Sequence, residues 1–299
     1  MNKTLRMAVL LFVAALSFSH AYAQETKADS TVNVIAWYCL HDTVIYRQRE
    51  QELRIENGDT TIVTDAYRRY QFIVVDSTSK GFLLEYMPLA FEFPDDDPVA
   101  KMKYAIAERF IGIRILISTD ELGQVKQVEN FKEVHQAVYS RCDSLIDEIY
   151  REAPTLYAQM SKPDMLKKLH KQLDDTYGSR QRLLESMDVL EVLFNYHGKS
   201  FPVGKVEDVS GNTTSRLRVT TGKADDNDET ATDDDYQISQ YITIDESKDG
   251  QSPIHEVVVH KEYFNDGWPR YVYISDEEGD DQHLEISRME IDWEYRGWE

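Results

Sequence analysis

His255-Glu256-Val257-Val258-Val259-His260 places two histidines and a glutamate within six residues. Zinc proteases need two histidines four apart on one helix, so that both rings face the metal. Here the spacing is five, in a valine-rich run that reads as a strand, where the two rings point to opposite faces. Zinc catalysis is not expected. Ser77-Thr78-Ser79-Lys80 has the Ser-x-x-Lys spacing of penicillin-recognising enzymes, but their Ser-Asp-Asn and Lys-Thr-Gly companions are absent from the chain. The match also falls in an expected hairpin turn rather than at the start of a helix. No Gly-x-Ser-x-Gly elbow, Walker loop or Gly-x-Gly-x-x-Gly fingerprint occurs. His41, His135, His170, His197 and His283 are scattered. His197 is expected at a helix C-terminus, where a cation suits the helix dipole.

Carboxylates dominate the remaining chemistry. Asp225, Asp226, Asp228, Glu229, Asp233, Asp234 and Asp235 crowd one segment. Calcium takes such oxygens, yet the EF-hand spacing and its turn glycine are missing, so a solvated charge run is the reading. Asp276 to Asp281 reads the same way. Paired acids on opposite sides of a sugar bond, within about 10 Å, would make a glycan hydrolase. That reading is kept as an alternative. Catalysis of any kind is a weaker expectation than binding. No cofactor and no metal are expected.

Cys39 and Cys142 are the two thiols of the chain. A bridge between them would close a loop of about 100 residues and stabilise by about 4–5 kcal/mol in the chain-entropy view. Two separate buried thiols are the favoured reading.

Composition narrows the partners. The chain has 299 residues, with 33 Lys+Arg against 54 Asp+Glu and a formal charge of −21. Nucleic-acid binding needs a basic surface, so no nucleic-acid partner is expected. Lys3 and Arg6 precede an apolar run from Met7 to Phe18, and Ala21-Tyr22-Ala23 fits a small-x-small cleavage site. The run is shorter than the roughly 20 residues that span a bilayer as a helix. Residues 1–23 are therefore expected to be a signal peptide cut between Ala23 and Gln24. The destination would be the periplasm or the exterior of a Gram-negative bacterium. No transmembrane segment is expected in the mature chain, which would be soluble and acidic.

The elements fall in three zones. Residues 24–30 read as a disordered leader. From 31 to 93 the chain reads mostly as strands, with Val32–Tyr46, Tyr70–Val75 and Phe82–Phe91 rich in β-formers and a hairpin at 77–81. Asp97-Pro98 looks like the opening of a short helix to about Arg109. Phe110–Ser118 and Gln124–Val128 form a second hairpin. A helical insert follows at about 130–197. Asn130 with Glu133 resembles a capping box, and Ser161 with Asp164 another N-cap. Phe131, Val138 and Leu145 lie on one apolar stripe, and Leu184, Met187 and Leu190 on another, in a third helix expected from Ser179 to His197. From Phe201 onward the chain returns to strands, with a mobile acidic loop expected at about 223–235.

Strands, then helices, then strands with short connections predict an α+β fold. Its core would be a large curved antiparallel β-sheet packed by the central helical segment, with residues 31–299 as a single domain. In layout this resembles the periplasmic lipoprotein-carrier class, which implies a greasy cavity between a sheet and a helical lid. Thr119–Val125 and Phe194–Lys199 also look like stretches in exported bacterial proteins of unknown function, which implies no activity. The function read from the sequence is an exported, non-catalytic binding protein. It would carry an apolar or amphipathic, lipid-like ligand between sheet and helices, with Phe131, Val138, Leu145, Leu184, Met187 and Leu190 as candidate ligand-facing residues. The alternative is an envelope protein-interaction or structural module that uses strand edges and the chain's 18 tyrosines and four tryptophans.

Overall fold

A computed structural model describes residues 30–93, 104–152, 160–222, 232–245, 254–280 and 282–298. The expected signal peptide, the leader to residue 29 and most of the acidic loop lie outside the described residues. So does Asp97-Pro98.

The strands are β1 (Thr31–Asn33), β2 (Asp42–Glu56), β3 (Asp59–Thr78), β4 (Gly81–Glu92), β5 (Ile115–Thr119) and β6 (Val125–Val128) before the helices. After them come β7 (Ser200–Pro202), β8 (Gly204–Ser210), β9 (Thr213–Thr221), β10 (Tyr236–Asp245), β11 (Ile254–Tyr263), β12 (Pro269–Gly279) and β13 (His283–Trp298). Eleven of them make one antiparallel sheet in the order β6-β5-β4-β3-β2-β13-β12-β11-β10-β9-β8. Each half of the chain is a meander of hairpins. The long β2–β13 ladder, from Asp42↔Trp298 to Glu56↔His283, joins the two halves. β6 and β8 are the outer strands, so the sheet is not closed.

Alternation along the strands makes one face apolar. Val44 and Tyr46 on β2, Tyr70, Phe72 and Val74 on β3, Leu84 and Tyr86 on β4, and Met289 and Ile291 on β13 are all buried. This inner face continues through Val272 and Ile274 on β12 to Val257 and Val259 on β11.

Four helices lie between the two meanders in sequence: α1 (Phe131–Glu152), α2 (Lys162–Tyr177), α3 (Arg180–Ser186) and α4 (Asp188–Phe194). Buried residues of all four belong to the same apolar cluster as the inner face. Phe194 at the end of α4 meets Phe72 edge-on at 5.5 Å and Trp268 at 6.1 Å between ring centres. The ammonium of Lys261, fully buried on β11, donates to the Val192 carbonyl and to Asn195 Oδ1. It thereby satisfies acceptors left over at the α4 C-terminus.

Several expectations need correction. Val32–Tyr46 is not one strand. Backbone bonds of its middle part go to three separate loops: Val34 to Lys199, Ala36 to Leu122 and Trp37 to Asp266. Cys39 therefore sits in a connection rather than in a ladder. The Asn130 side chain does not cap α1, because its oxygen accepts from Leu116 N and its nitrogen donates to the Arg114 carbonyl, tying the helix start to β5. The helix expected from Ser179 to His197 is broken at Met187, whose φ of −95° and ψ of 67° leave the helical region. The Asp188 carboxylate then accepts from Val189 N at the new helix start. The Ser161 cap is present, with its hydroxyl accepting from Asp164 N at 3.3 Å.

Candidate functional site

The longest hairpin of the sheet is the one least visible in the sequence. β2 and β3 are joined by Asn57-Gly58, both at positive φ (52° and 88°), the geometry that two-residue hairpins favour. The strands around this turn are highly charged. The inner positions of their outer halves, beyond the apolar core, are Glu50 and Glu52 on β2 and Thr64, Ala66 and Arg68 on β3. Their ladder sets Glu50 opposite Ala66 and Glu52 opposite Thr64.

These residues floor a cavity of about 390 Å³, partly open to solvent. Tyr86, Pro88 and Phe91 of β4 continue the floor, and Phe93, Tyr104 and Phe110 line one wall. Tyr177 at the end of α2 and Ser186, Met187 and Asp188 at the helix break complete it. The break at Met187 is thus what directs Asp188 into the cavity. Phe93 stacks on Tyr104 at 3.6 Å with a 6° interplanar angle, and Phe91 lies nearly parallel to Phe93 at 6.1 Å.

Arg68 is the electrostatic centre. Its Nη1 contacts Asp188 Oδ1 at 3.1 Å and its Nη2 contacts Glu50 at 3.2 Å. Nε is buried without a partner. Burial works against the guanidinium charge, but Asp188 and Glu50 outweigh it, and the Arg68 pKa is raised. Glu50 is pushed above the usual carboxylate range, first by burial; Arg68 opposes the shift and Asp188 adds to it. Gln48 donates to Glu50 Oε1 at 2.6 Å and fixes the carboxylate from the apolar side.

A second groove, of about 410 Å³, lies outside the helix break between α3, α4 and the β5–β6 hairpin. Leu184, Met187 and Leu190 line it, with Glu191 and Lys199 among its polar residues. The candidate ligand-facing residues therefore divide. These three border a groove, and Met187 borders both spaces. Phe131, Val138 and Leu145 line neither. Val138 and Leu145 are buried, and Phe131 packs partly buried against the core.

The other residues singled out by type are placed as follows. His255 and His260 face opposite sides of the sheet, as their spacing requires. His255 Nε2 pairs with Asp276 at 2.8 Å, so Asp276 is not a merely solvated acid. On the outer face His260 bonds Ser239 Oγ through Nδ1 at 2.8 Å and Glu262 through Nε2 at 3.1 Å. That file has the composition of a hydrolytic triad. It sits on β10 and β11, each paired on both sides, so no free backbone N–H pair is available as an oxyanion hole. Ser77 and Thr78 end β3, and Ser79-Lys80 form the expected turn.

His197 is fully buried rather than a charged helix end. Its Nε2 lies 3.0 Å from the Gly267 carbonyl and 2.8 Å from Tyr38 Oη. A carbonyl only accepts, so the ring proton is on Nε2. Burial first, then Lys261, pulls its pKa down to about 4. Cys39 and Cys142 are both free, one exposed and one buried, and no bridge joins them. Burial pushes the Cys142 thiol up to about 11. Among the described residues no group of three or more His, Cys, Asp or Glu is placed to hold a metal ion. Nor is any helix among them long and apolar enough to cross a membrane.

No family model matches the chain, and no curated protein matches it. Among solved structures, one described as "Lipid-protein interactions in lipovitellin" aligns over 87% of this chain and 26% of its own, at 8% identity and a TM-score of 0.41. This chain thus spans about a quarter of that one. The attachment invasion locus protein Ail of Yersinia pestis aligns over 87% of this chain and all of its own, at 5% identity and a TM-score of 0.16.

Proposed function

We propose that this protein binds an apolar or amphipathic ligand in the cavity between β2–β4 and the helices. The observation behind this reading is the cavity itself. It joins a wall of stacked aromatic rings to a small set of convergent charged groups, within the size range of small-molecule sites, about 300–1,000 Å³. Apolar walls supply affinity and a few polar groups supply orientation. In this reading the helical segment closes the inner face of one sheet in one domain. The chain is an exported binding protein without catalytic activity, and its ligand is lipid-like.

Native mass spectrometry of the mature protein from its own envelope, followed by organic extraction, tests this. A reproducible extra mass that extracts as a lipid supports it. A second measurement is binding of an uncharged fluorescent lipid probe, lost in Ala66→Phe, which fills the cavity floor. Apo protein that binds no such probe would overturn the reading.

A second reading, an envelope interaction module, has its own observation. Trp37 is 68% exposed and Leu40 49% exposed in the connection before β2, and Val209 is 64% exposed on the outer strand β8. Exposed apolar residues on a connection and on an edge strand are the material of protein contacts. Crosslinking in intact cells that captures no envelope protein through position 37 or 209 would remove it.

A further inference from the structure

We propose that the polar end of the ligand is a cation, an amine or quaternary ammonium group, held by Glu50, Glu52 and Asp188 against the rings of Phe91, Phe93 and Tyr104. This deepens the binding reading above and rests on it.

Charge in the lining carries the inference. Among the described residues, four charged side chains border the cavity: three carboxylates and one guanidinium. Both Nη atoms of that guanidinium are already engaged, one by Asp188 and one by Glu50. Glu52 makes no ion pair among the described residues. With all four ionised, these described residues carry two net negative charges, and the one cation among them is already shared between two acids. An incoming cation would meet unbalanced carboxylate. An incoming anion would compete with Asp188 and Glu50 for the guanidinium of Arg68, and would meet three carboxylates beside it.

The rings point the same way. Aromatic faces are negative, and a cation over them is attracted, the more so when water is excluded. Sites that combine ring faces with a carboxylate suit ammonium groups: a quaternary nitrogen has no N–H to donate, so negative ring faces and nearby carboxylate charge hold it electrostatically. Here the parallel rings of Phe93 and Tyr104 stand in the wall of the same cavity as Glu50 and Asp188. The whole chain, at a formal charge of −21, also raises the local concentration of cations and lowers that of anions.

The test is a chain-matched series with the full-length mature protein: dodecyltrimethylammonium, dodecyl maltoside and dodecyl sulfate. Each is titrated calorimetrically below its micelle concentration at about 0.15 M salt, where long-range surface attraction is screened. Dodecyltrimethylammonium is expected to bind about tenfold more tightly than either of the others. Glu52→Gln should weaken it severalfold while leaving the maltoside unchanged. Ala66→Phe fills the cavity without changing the net charge and should abolish binding. Thr64→Phe repeats that test should Ala66→Phe lower the melting temperature too far. Equal or tighter binding of the maltoside or the sulfate overturns the head-group inference and leaves the cavity reading intact. Cationic binding that survives both blocking variants is surface adsorption, and overturns the inference too. Failure of all three amphiphiles to bind overturns the cavity reading itself.

Discussion

Replacing Arg68 by methionine should destabilise the protein by about 2–3 kcal/mol at pH 8, and the loss should shrink on acidification. The guanidinium lies 3.1 Å from Asp188 and 3.2 Å from Glu50. At an effective dielectric of about 20 each contact has a gross Coulomb energy of about 5 kcal/mol, most of it offset by the desolvation of three charged groups. Removing the shared partner leaves the two carboxylates without their counter-charge. For fully buried ions that costs about 3–5 kcal/mol. These side chains keep about a quarter of their surface exposed, at 26%, 24% and 23%, so solvent screening brings the expected loss below that range, to about 2–3 kcal/mol. The pH dependence follows from Glu50. Its folded pKa already lies above the usual value because of burial, and Arg68 is what restrains it. A carboxyl with a raised folded pKa binds its proton more tightly in the folded state. Its favourable contribution is complete below the unfolded pKa, near 4.5, and disappears as pH rises through the folded value. Without Arg68 that folded value moves higher, so the variant suffers most at neutral and alkaline pH. Urea unfolding at pH 8, 6.5 and 5, with the slope held common, reads the difference. The triple variant Arg68→Met, Glu50→Gln, Asp188→Asn removes all three charges together and should return to within about 1 kcal/mol of the parent. An Arg68→Met deficit below about 0.5 kcal/mol at pH 8 would show that the trio is a solvated surface network. A deficit that does not shrink by pH 5 would refute the assignment to Glu50.

Three further predictions concern the end of the sheet where the N-terminal connection is anchored. His197 is buried neutral with its pKa lowered from 6.5 to about 4, so its contribution is present above pH 6.5 and lost as pH falls through 4. The ceiling is about 3 kcal/mol; the difference in unfolding free energy between parent and His197→Gln should change by up to that amount between pH 7 and 4, and parallel curves would sink the idea. Gly123→Ala should destabilise by about 2–3 kcal/mol, because φ is +92° and a Cβ would stand 2.7 Å from both Ala36 Cβ and His197 Cδ2; a melting temperature equal to the parent's would contradict the packing. One thiol should react with a maleimide in the folded protein and two after unfolding, since Cys39 is exposed and Cys142 buried with its pKa raised to about 11; two fast thiols in the native state would count against a closed helix layer.

The sheet was legible where its strands are apolar. β4 lies within a residue of the Phe82–Phe91 run at each end, and strands resume at Ser200, beside the expected Phe201. The outer halves of β2 and β3 were not, because Arg47 to Arg54 is polar at every position but Leu53 and shows no apolar period. The one signal there is Asn57-Gly58, which calls for a two-residue hairpin whatever flanks it. Reading that turn would have extended both strands and set Glu50 and Glu52 beside Arg68. The helix break at Met187 has no such signal. Leu183, Leu184, Met187, Leu190 and Phe194 keep a helical period straight through it, and only Asp188, a residue that caps as readily as it continues a helix, hints at the interruption.

Both misses have one physical cause, and it bears on function. Periodicity reports burial in an apolar core, whereas a binding cavity is where the core pattern is suspended. Glu50, Glu52 and Arg68 occupy inner-face positions at which a closed core would place side chains like Tyr46 and Phe72. Asp188 enters the same space only because the helix stops before it. A sheet that needed to bury its whole inner face would continue the aliphatic alternation to Asn57 and run one unbroken helix across it. This chain departs from both at the same place. The departures meet at a single guanidinium, with Phe93 and Tyr104 stacked in the wall of the same space. Two breaks in pattern, on elements far apart in sequence, that converge on one cavity are harder to attribute to loose packing than either alone, and that convergence is the ground for treating the cavity as a binding site.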